Sequence, residues 1–119
     1  MYSVTEQFVA WITSLGFRAS TQVPRGAPKS PSEFVTVSRV GGGVANLVDH
    51  PRIAIQAWAQ TEARAEEMAN QIRLAALTQS RPQGVHSIRP NAGPYPFWDE
   101  STRMPRYQLV LDVACQLTD

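Results

Sequence analysis

The sequence predicts an α+β fold: a mainly antiparallel sheet of four to five strands with two helices packed on one face, in the order α-β-β-β-α-β-β. Two stretches place apolar residues at helical spacing, three others alternate apolar and polar residues, and most links around the strands are of hairpin length. At 119 residues the chain has the length of one domain, 1–119, large enough to bury a core.

The first helix is expected over residues 4–15. Ser3-Val4-Thr5-Glu6 fits a capping box, Val4, Phe8, Trp11, Ile12 and Leu15 form one apolar face, and Gly16 suits the left-handed position that ends a helix. Residues 17–23 mix aromatic, β-branched and polar types and read as a short strand. The run Pro24-Arg25-Gly26-Ala27-Pro28-Lys29-Ser30-Pro31-Ser32 cannot make a regular ladder, so it is a loop. If the protein grips a partner, this loop with Arg25 and Lys29 is one candidate surface.

A half-buried strand is expected over 33–40, followed by Gly41-Gly42-Gly43, and another over 52–59. In the latter Ile53, Ile55, Ala57 and Ala59 point one way and Arg52, Ala54, Gln56 and Trp58 the other, and the two strands read as antiparallel neighbours. Thr61 caps the second helix, Glu62 complements its dipole, and Ala65, Met68, Ala69, Ile72 and Ala76 line one face. These small residues suit close approach to a sheet, while Glu62, Arg64, Glu66, Glu67 and Arg73 form a solvated side. A strand over 85–89 is expected to break at Pro90-Asn91-Ala92-Gly93-Pro94. The last strand, 105–117, carries Tyr107, Leu109, Leu111, Val113, Cys115 and Leu117 on its single buried face.

Composition excludes several classes of function. No apolar run approaches the roughly 20 residues of a membrane span, and the N-terminus lacks a secretory pattern, so a soluble protein without export is expected. A formal net charge of +1 provides no global field for nucleic acid, and Arg81, Arg89, Arg103 and Arg106 read as scattered surface or interface arginines. Cys115 is the only cysteine, which rules out an internal disulfide and a multi-cysteine zinc site; it reads as a core thiol. No cofactor or metal is expected.

The glycine triplet fails as a phosphate loop. Such a loop joins a strand to a helix, whereas here Val44-Ala45-Asn46-Leu47-Val48-Asp49-His50-Pro51 follows, without the lysine and hydroxyl of a P-loop, and leads into a strand. A flexible turn is expected instead, with Asp49 bonding its own backbone before Pro51. Residues 39–51 then form a long hairpin arm able to reach a neighbour, with Arg39, Gly41, Gly42, Gly43, Asn46 and Asp49 as candidate contacts. Deleting residues 41–46 is expected to leave the fold intact and weaken assembly. Pro94-Tyr95-Pro96-Phe97-Trp98 either packs on the sheet or offers Tyr95, Phe97 and Trp98 as interface anchors. Asp49 and His50 together could form an acid–base pair under an aromatic lid, which keeps a small enzyme as a distant alternative.

The runs Phe34-Val35-Thr36-Val37-Ser38-Arg39-Val40-Gly41-Gly42-Gly43 and Asp49-His50-Pro51-Arg52-Ile53-Ala54-Ile55-Gln56-Ala57-Trp58-Ala59, then Thr61-Glu62 with its Ala-rich helix, and Pro105-Arg106-Tyr107-Gln108 carry a resemblance. The chain resembles, over most of its length, the tail terminator and related head–tail joining proteins of long-tailed bacteriophages, particularly those infecting actinobacteria. The resemblance implies an α+β subunit without enzymatic activity. It implies a homo-oligomeric ring, usually a hexamer, that caps the major tail tube protein and docks to the head–tail connector. It also implies a place at the head–tail junction of the virion, assembly in the host cytoplasm, no membrane, and genomic DNA met only as it passes through the ring lumen. A head-side completion or closure protein is the alternative within the same class. The resemblance transfers no contact residue.

Overall fold

In the computed structural model, which describes residues 1–27, 29, 31–97 and 104–117, the first helix, α1 (Val4–Ser14), begins where Ser3 Oγ accepts the Glu6 backbone N–H at 3.3 Å. Val4, Phe8, Trp11 and Ile12 are its buried face. Gly16 follows with φ +102°, the left-handed turn-off the sequence leads one to expect. Strand β1 (Ala19–Ser20) is much shorter than the 17–23 segment, because only these residues find a partner: Ala19 lies beside Val35 and Ser20 beside Thr36, in parallel.

Strands β2 (Phe34–Ala45) and β3 (Val48–Trp58) form one long antiparallel hairpin. The glycine triplet is therefore no turn; it lies inside β2, opposite residues 50–52, and the chain reverses at Asn46 and Leu47, with φ +52° and +62°. Positive φ at both central residues matches the strand twist of a two-residue hairpin turn. The ladder reaches this far because Gly42, at φ +97°, lets the backbones approach. A Cβ there would stand 2.0 Å from the His50 carbonyl oxygen and 2.7 Å from Pro51 Cα, whereas one at Gly41 or Gly43 would meet nothing within 4 Å. One extra residue between Arg39 and Gly41 makes a bulge in β2.

Helix α2 (Glu62–Thr78) starts where Thr61 Oγ1 accepts from Arg64 N at 3.1 Å, and it buries Ala65, Met68, Ala69, Ile72, Ala75 and Ala76. Strand β4 (Val85–Pro96) runs straight through the prolines expected to break it, with register shifts at three places. It tolerates them because it is an edge strand, where a missing N–H on the outer side removes no ladder bond. Strand β5 (Arg106–Cys115) lies between β3 and β4, giving the sheet order β1-β2-β3-β5-β4, antiparallel except for β1 on β2.

Both helices pack on one face, α1 over β1 and β2, α2 over β3, β5 and β4. Between them and the sheet lie Val35, Val37, Ile53, Ile55, Ala57, Leu109, Leu111, Val113 and Cys115. The alternation of β3 and β5 thus faces as expected. The expectation of a single buried face does not hold: on the helix-free side Phe34 and Trp58 stack with ring centroids 5.3 Å apart, with Met104 and Ala27 against them, and Arg106, Gln108, Val110 and Ala54 are buried too. Two long-range bonds tie the helical layer together. Trp11 Nε1 donates to the Ser80 carbonyl at 2.7 Å, and the Tyr2 hydroxyl donates to the Gln83 carbonyl at 2.7 Å.

Candidate functional site

The most prominent surface feature follows from the length of the β2–β3 hairpin. Beyond Thr36 no strand among the described residues covers the outer edge of β2, and from Ser38 onward every β2 residue except the half-buried Gly41 is exposed. At about 3.3 Å per residue, residues 39–45 extend roughly 20 Å, in a molecule of 43 × 25 × 25 Å. The arm carries apolar residues outward: Val40 and Val44 are each 56% exposed, and Leu47 at the tip is 82% exposed.

Arg39 and Asp49 are the arm's internal brace rather than free contacts. The guanidinium bonds both carboxylate oxygens, at 2.6 and 2.8 Å, and its remaining donors reach the carbonyls of Gly41 at 3.2 Å and Gly42 at 3.3 Å. This fork holds the Asp49 carboxyl below the usual carboxylate range and raises Arg39 in turn. Asp49 is therefore a strand residue and not a turn residue: Arg39 is its main partner, and the expected bond to its own backbone is present as a lesser one, from the His50 N–H. Because successive strand side chains point to opposite faces, Asp49 lies on the helix side and His50 on the other. The proposed acid–base pair is not brought together.

On the helix-free side the strands form transverse rows. Trp58 Nε1 donates to Thr36 Oγ1 at 3.1 Å, the Thr36 hydroxyl to Gln56 Oε1 at 3.5 Å, Gln56 Nε2 to Gln108 Oε1 at 2.7 Å, and Gln108 Nε2 to the Tyr95 hydroxyl. This polar row spans β2, β3, β5 and β4. The neighbouring row is aromatic. The Arg106 guanidinium carbon sits 4.4 Å from the Trp58 ring centroid and 4.5 Å from that of Phe97, and its Nε donates to the Phe97 carbonyl at 2.9 Å. A cation between two rings gains from both π faces. The cleft beside it, lined by Glu62, Pro96, Phe97, Met104 and Pro105, holds about 10 Å³, room for about one water.

The sequence-predicted contacts therefore fall at two ends of the molecule. Asn46 and the glycines belong to the arm. Tyr95, half-buried, and Phe97, 38% exposed, lie with the Phe34 and Trp58 end, roughly 30 Å away along β3 by strand rise. The proline-rich loop joins this second end through Ala27; its Arg25 and Lys29 are exposed. Trp98 lies outside the described residues.

Sequence reasoning missed a third region. On the helix-free face, beyond the polar row, His50 and Arg52 of β3, Asp112 and Ala114 of β5, and Ser87 and Arg89 of β4 line an open trough of about 450 Å³. Arg52 Nε donates to Asp112 Oδ1 at 3.1 Å and Asn91 Nδ2 to Oδ2 at 3.0 Å, and these bonds, Asn91 first, lower the Asp112 carboxyl. Period-two alternation already put Arg52 outside the core. That Arg89 joins it required the sheet order, which sets β5 between β3 and β4.

Among the described residues no three His, Cys, Asp or Glu side chains converge in a way that could hold a metal ion, and no helix is long and apolar enough to cross a membrane. Cys115 is fully buried, and burial raises its thiol, with Asp49 adding to the effect. No protein-family model matches the chain, and a search of characterised proteins likewise finds no match.

Proposed function

We propose that this chain is a bacteriophage virion structural protein, a tail terminator whose copies form a ring, hexameric as in the proteins it resembles, that caps the tail tube and joins it to the head connector. The observation that carries the reading is the braced, apolar-tipped arm on a subunit whose two faces differ. A ring subunit needs different surfaces that meet head to tail, plus a projection that engages the structure below. Arm, trough and helical layer supply such surfaces on one chain. The resemblance of residues 34–43 and 49–59 to head–tail joining proteins supplies the identity of the partners: the tube protein on one side and connector proteins on the other.

The test is location. Antibody labelling of intact particles is expected to mark the head–tail junction, and loss of the gene is expected to give overlong or unfinished tails. Normal tails that fail to join heads would assign the chain to head closure instead. Label absent from particles refutes both.

A further inference from the structure

The two edges of the sheet are defended unequally. Strand β4 carries Pro90, Pro94 and Pro96 and shifts register against β5 at three places, so a further strand finds neither a full row of donors nor a straight line to follow. Strand β2 has no proline, and beyond Thr36 no strand among the described residues lies on its outer side. That side is able to pair: Val35 N donates across it to the Arg18 carbonyl at 2.8 Å, where β1 runs alongside. Strand groups alternate sides, so the backbone of Arg39 turns the same way, in the stretch where exposure begins.

Arg39 is the single charged residue of β2, and the bulge between it and Gly41 breaks the register at the same point. Its guanidinium lies on the carbonyls that follow, with Nε donating to Gly41 at 3.2 Å and Nη2 to Gly42 at 3.3 Å. An antiparallel ladder turns the carbonyls of alternate residues outward, so one of these two neighbours belongs to the open edge. Both Asp49 carboxylate oxygens hold the guanidinium in place. The rest of the stretch would favour a docking strand, since its exposed side chains, Val40 and Val44, are apolar and β-branched. Arg39 therefore fills an acceptor that such a strand would need, and it sets a charge where the strand would have to desolvate it.

We propose that Arg39 is an autoinhibitory guard: held by Asp49, it closes the outer edge of β2 against strand addition, and the strand it excludes is the same edge of a second copy. The occupant follows from the two edges. Prolines shut that of β4, so copies meeting edge to edge can pair only β2 with β2. Such a pair is antiparallel about a two-fold axis and closes on itself. It would withdraw the arm from head-to-tail contacts; that consequence rests on the ring reading above, and the guard itself does not.

The test uses the full chain with a spin label on Gly43→Cys, where an added Cβ meets nothing within 4 Å, and reads distances between labels on different copies. Edge-to-edge pairing over residues 38–45 keeps the two labels within about 30 Å, given a strand rise of about 3.3 Å per residue. In Arg39→Ala the fraction of such pairs is expected to grow with concentration, with an association constant at least about tenfold above that of the labelled parent, because two bonds from a charged donor no longer compete. Arg39→Met, which keeps a long stem without donors, is expected to behave alike and covers the case in which alanine unfolds the arm. Asp49→Asn loses the ion pair but keeps the donors on the two carbonyls, and it is expected to pair no more than the parent. Amide exchange is expected to slow over residues 39–45 in the paired form and to stay unchanged in β4; circular dichroism checks folding. Absence of pairing in both Arg39 variants overturns the proposal. Equal pairing in Asp49→Asn overturns it too, because loss of arm stability would then be the cause, and so does new protection confined to β4. Labelling of virions decides the ring reading separately and leaves the guard standing or fallen on these measurements alone.

Discussion

Gly42 is the position where the hairpin arm is most sensitive to a single added atom. In Gly42→Ala the residue keeps φ near +97°, which costs an L-residue about 1–2 kcal/mol. The new Cβ would overlap the His50 carbonyl oxygen at 2.0 Å and Pro51 Cα at 2.7 Å, both backbone, so β2 and β3 must part there. Parting them forfeits ladder bonds worth about 1 kcal/mol each. Together these terms come to about 3 kcal/mol, felt mainly by the arm, which can fray without opening the core. Amide hydrogen exchange over residues 39–52 is the appropriate assay. Protection there is expected to fall by about 100-fold, since each 1.4 kcal/mol is a factor of ten, while amides of α2 change little. Gly41→Ala and Gly43→Ala face open space without positive φ, so each is expected to stay within about 0.5 kcal/mol of the parent or to gain slightly from a stiffer unfolded chain. Equal losses at all three glycines, or undiminished protection in Gly42→Ala, would refute the argument that close backbone approach sets this residue.

Three further predictions follow from the brace, the thiol and the ladder. Asp49→Asn is expected to cost about 1 kcal/mol at pH 7 in urea melts, after allowance for the screening of a partly exposed pair. The folded-state pKa of Asp49 is depressed, so its contribution is present above the unfolded value of about 3.9 and fades as pH falls through the folded one; parent and variant should converge in strong acid, and a constant gap down to pH 2 contradicts the pairing. Cys115 is expected to react with an aromatic disulfide reagent in the native protein only at the rate of opening, and stoichiometrically fast in denaturant; rapid native labelling would mean that the thiol is not the core residue described. Shortening the arm in matched pairs, with residues 43–50 replaced by Asn-Gly, is expected to keep the thermal transition of the core within a few degrees. Deleting 41–46 alone removes one side of the ladder and strands its partners, so it is expected to perturb the sheet more. Similar melts for the two deletions would argue against the paired hairpin.

The element order was legible because each helix announces its own start and face. Ser3 and Thr61 cap, and Val4, Phe8, Trp11 and Ile12 or Ala65, Met68, Ala69 and Ile72 line the sheet side. Strand lengths were not legible, because a strand ends where its partner ends. Gly42 extends β2 by permitting pairing with Pro51, nine positions later, and Pro90 and Pro94 stay in β4 because only β5 needs its backbone. Among the site residues, Arg39 and Asp49 looked like separate contacts; their bond depends on where the hairpin turns, and Asn46-Leu47 lacks the Asn-Gly signature that would have fixed it. Glu66 and Arg89 were read as solvated or scattered charges, which each is in isolation.

The polar row of Thr36, Gln56, Gln108 and Tyr95 bears on how the sheet is put together in time. The two halves, β2 with β3 and β4 with β5, are each joined by local reversals. The β3–β5 seam, by contrast, pairs residues about fifty positions apart, such as Gln56 with Gln108, and such non-local pairings form late. When the halves meet, a slip of two residues keeps every apolar side chain on its proper face, so hydrophobicity alone does not reject the error. The glutamines do: a slipped seam separates the Gln56 and Gln108 amides, half-buried and buried respectively, and forfeits their bond, worth about 1 kcal/mol. The row thus acts as a checkpoint on docking, discriminating between alignments that the core cannot tell apart.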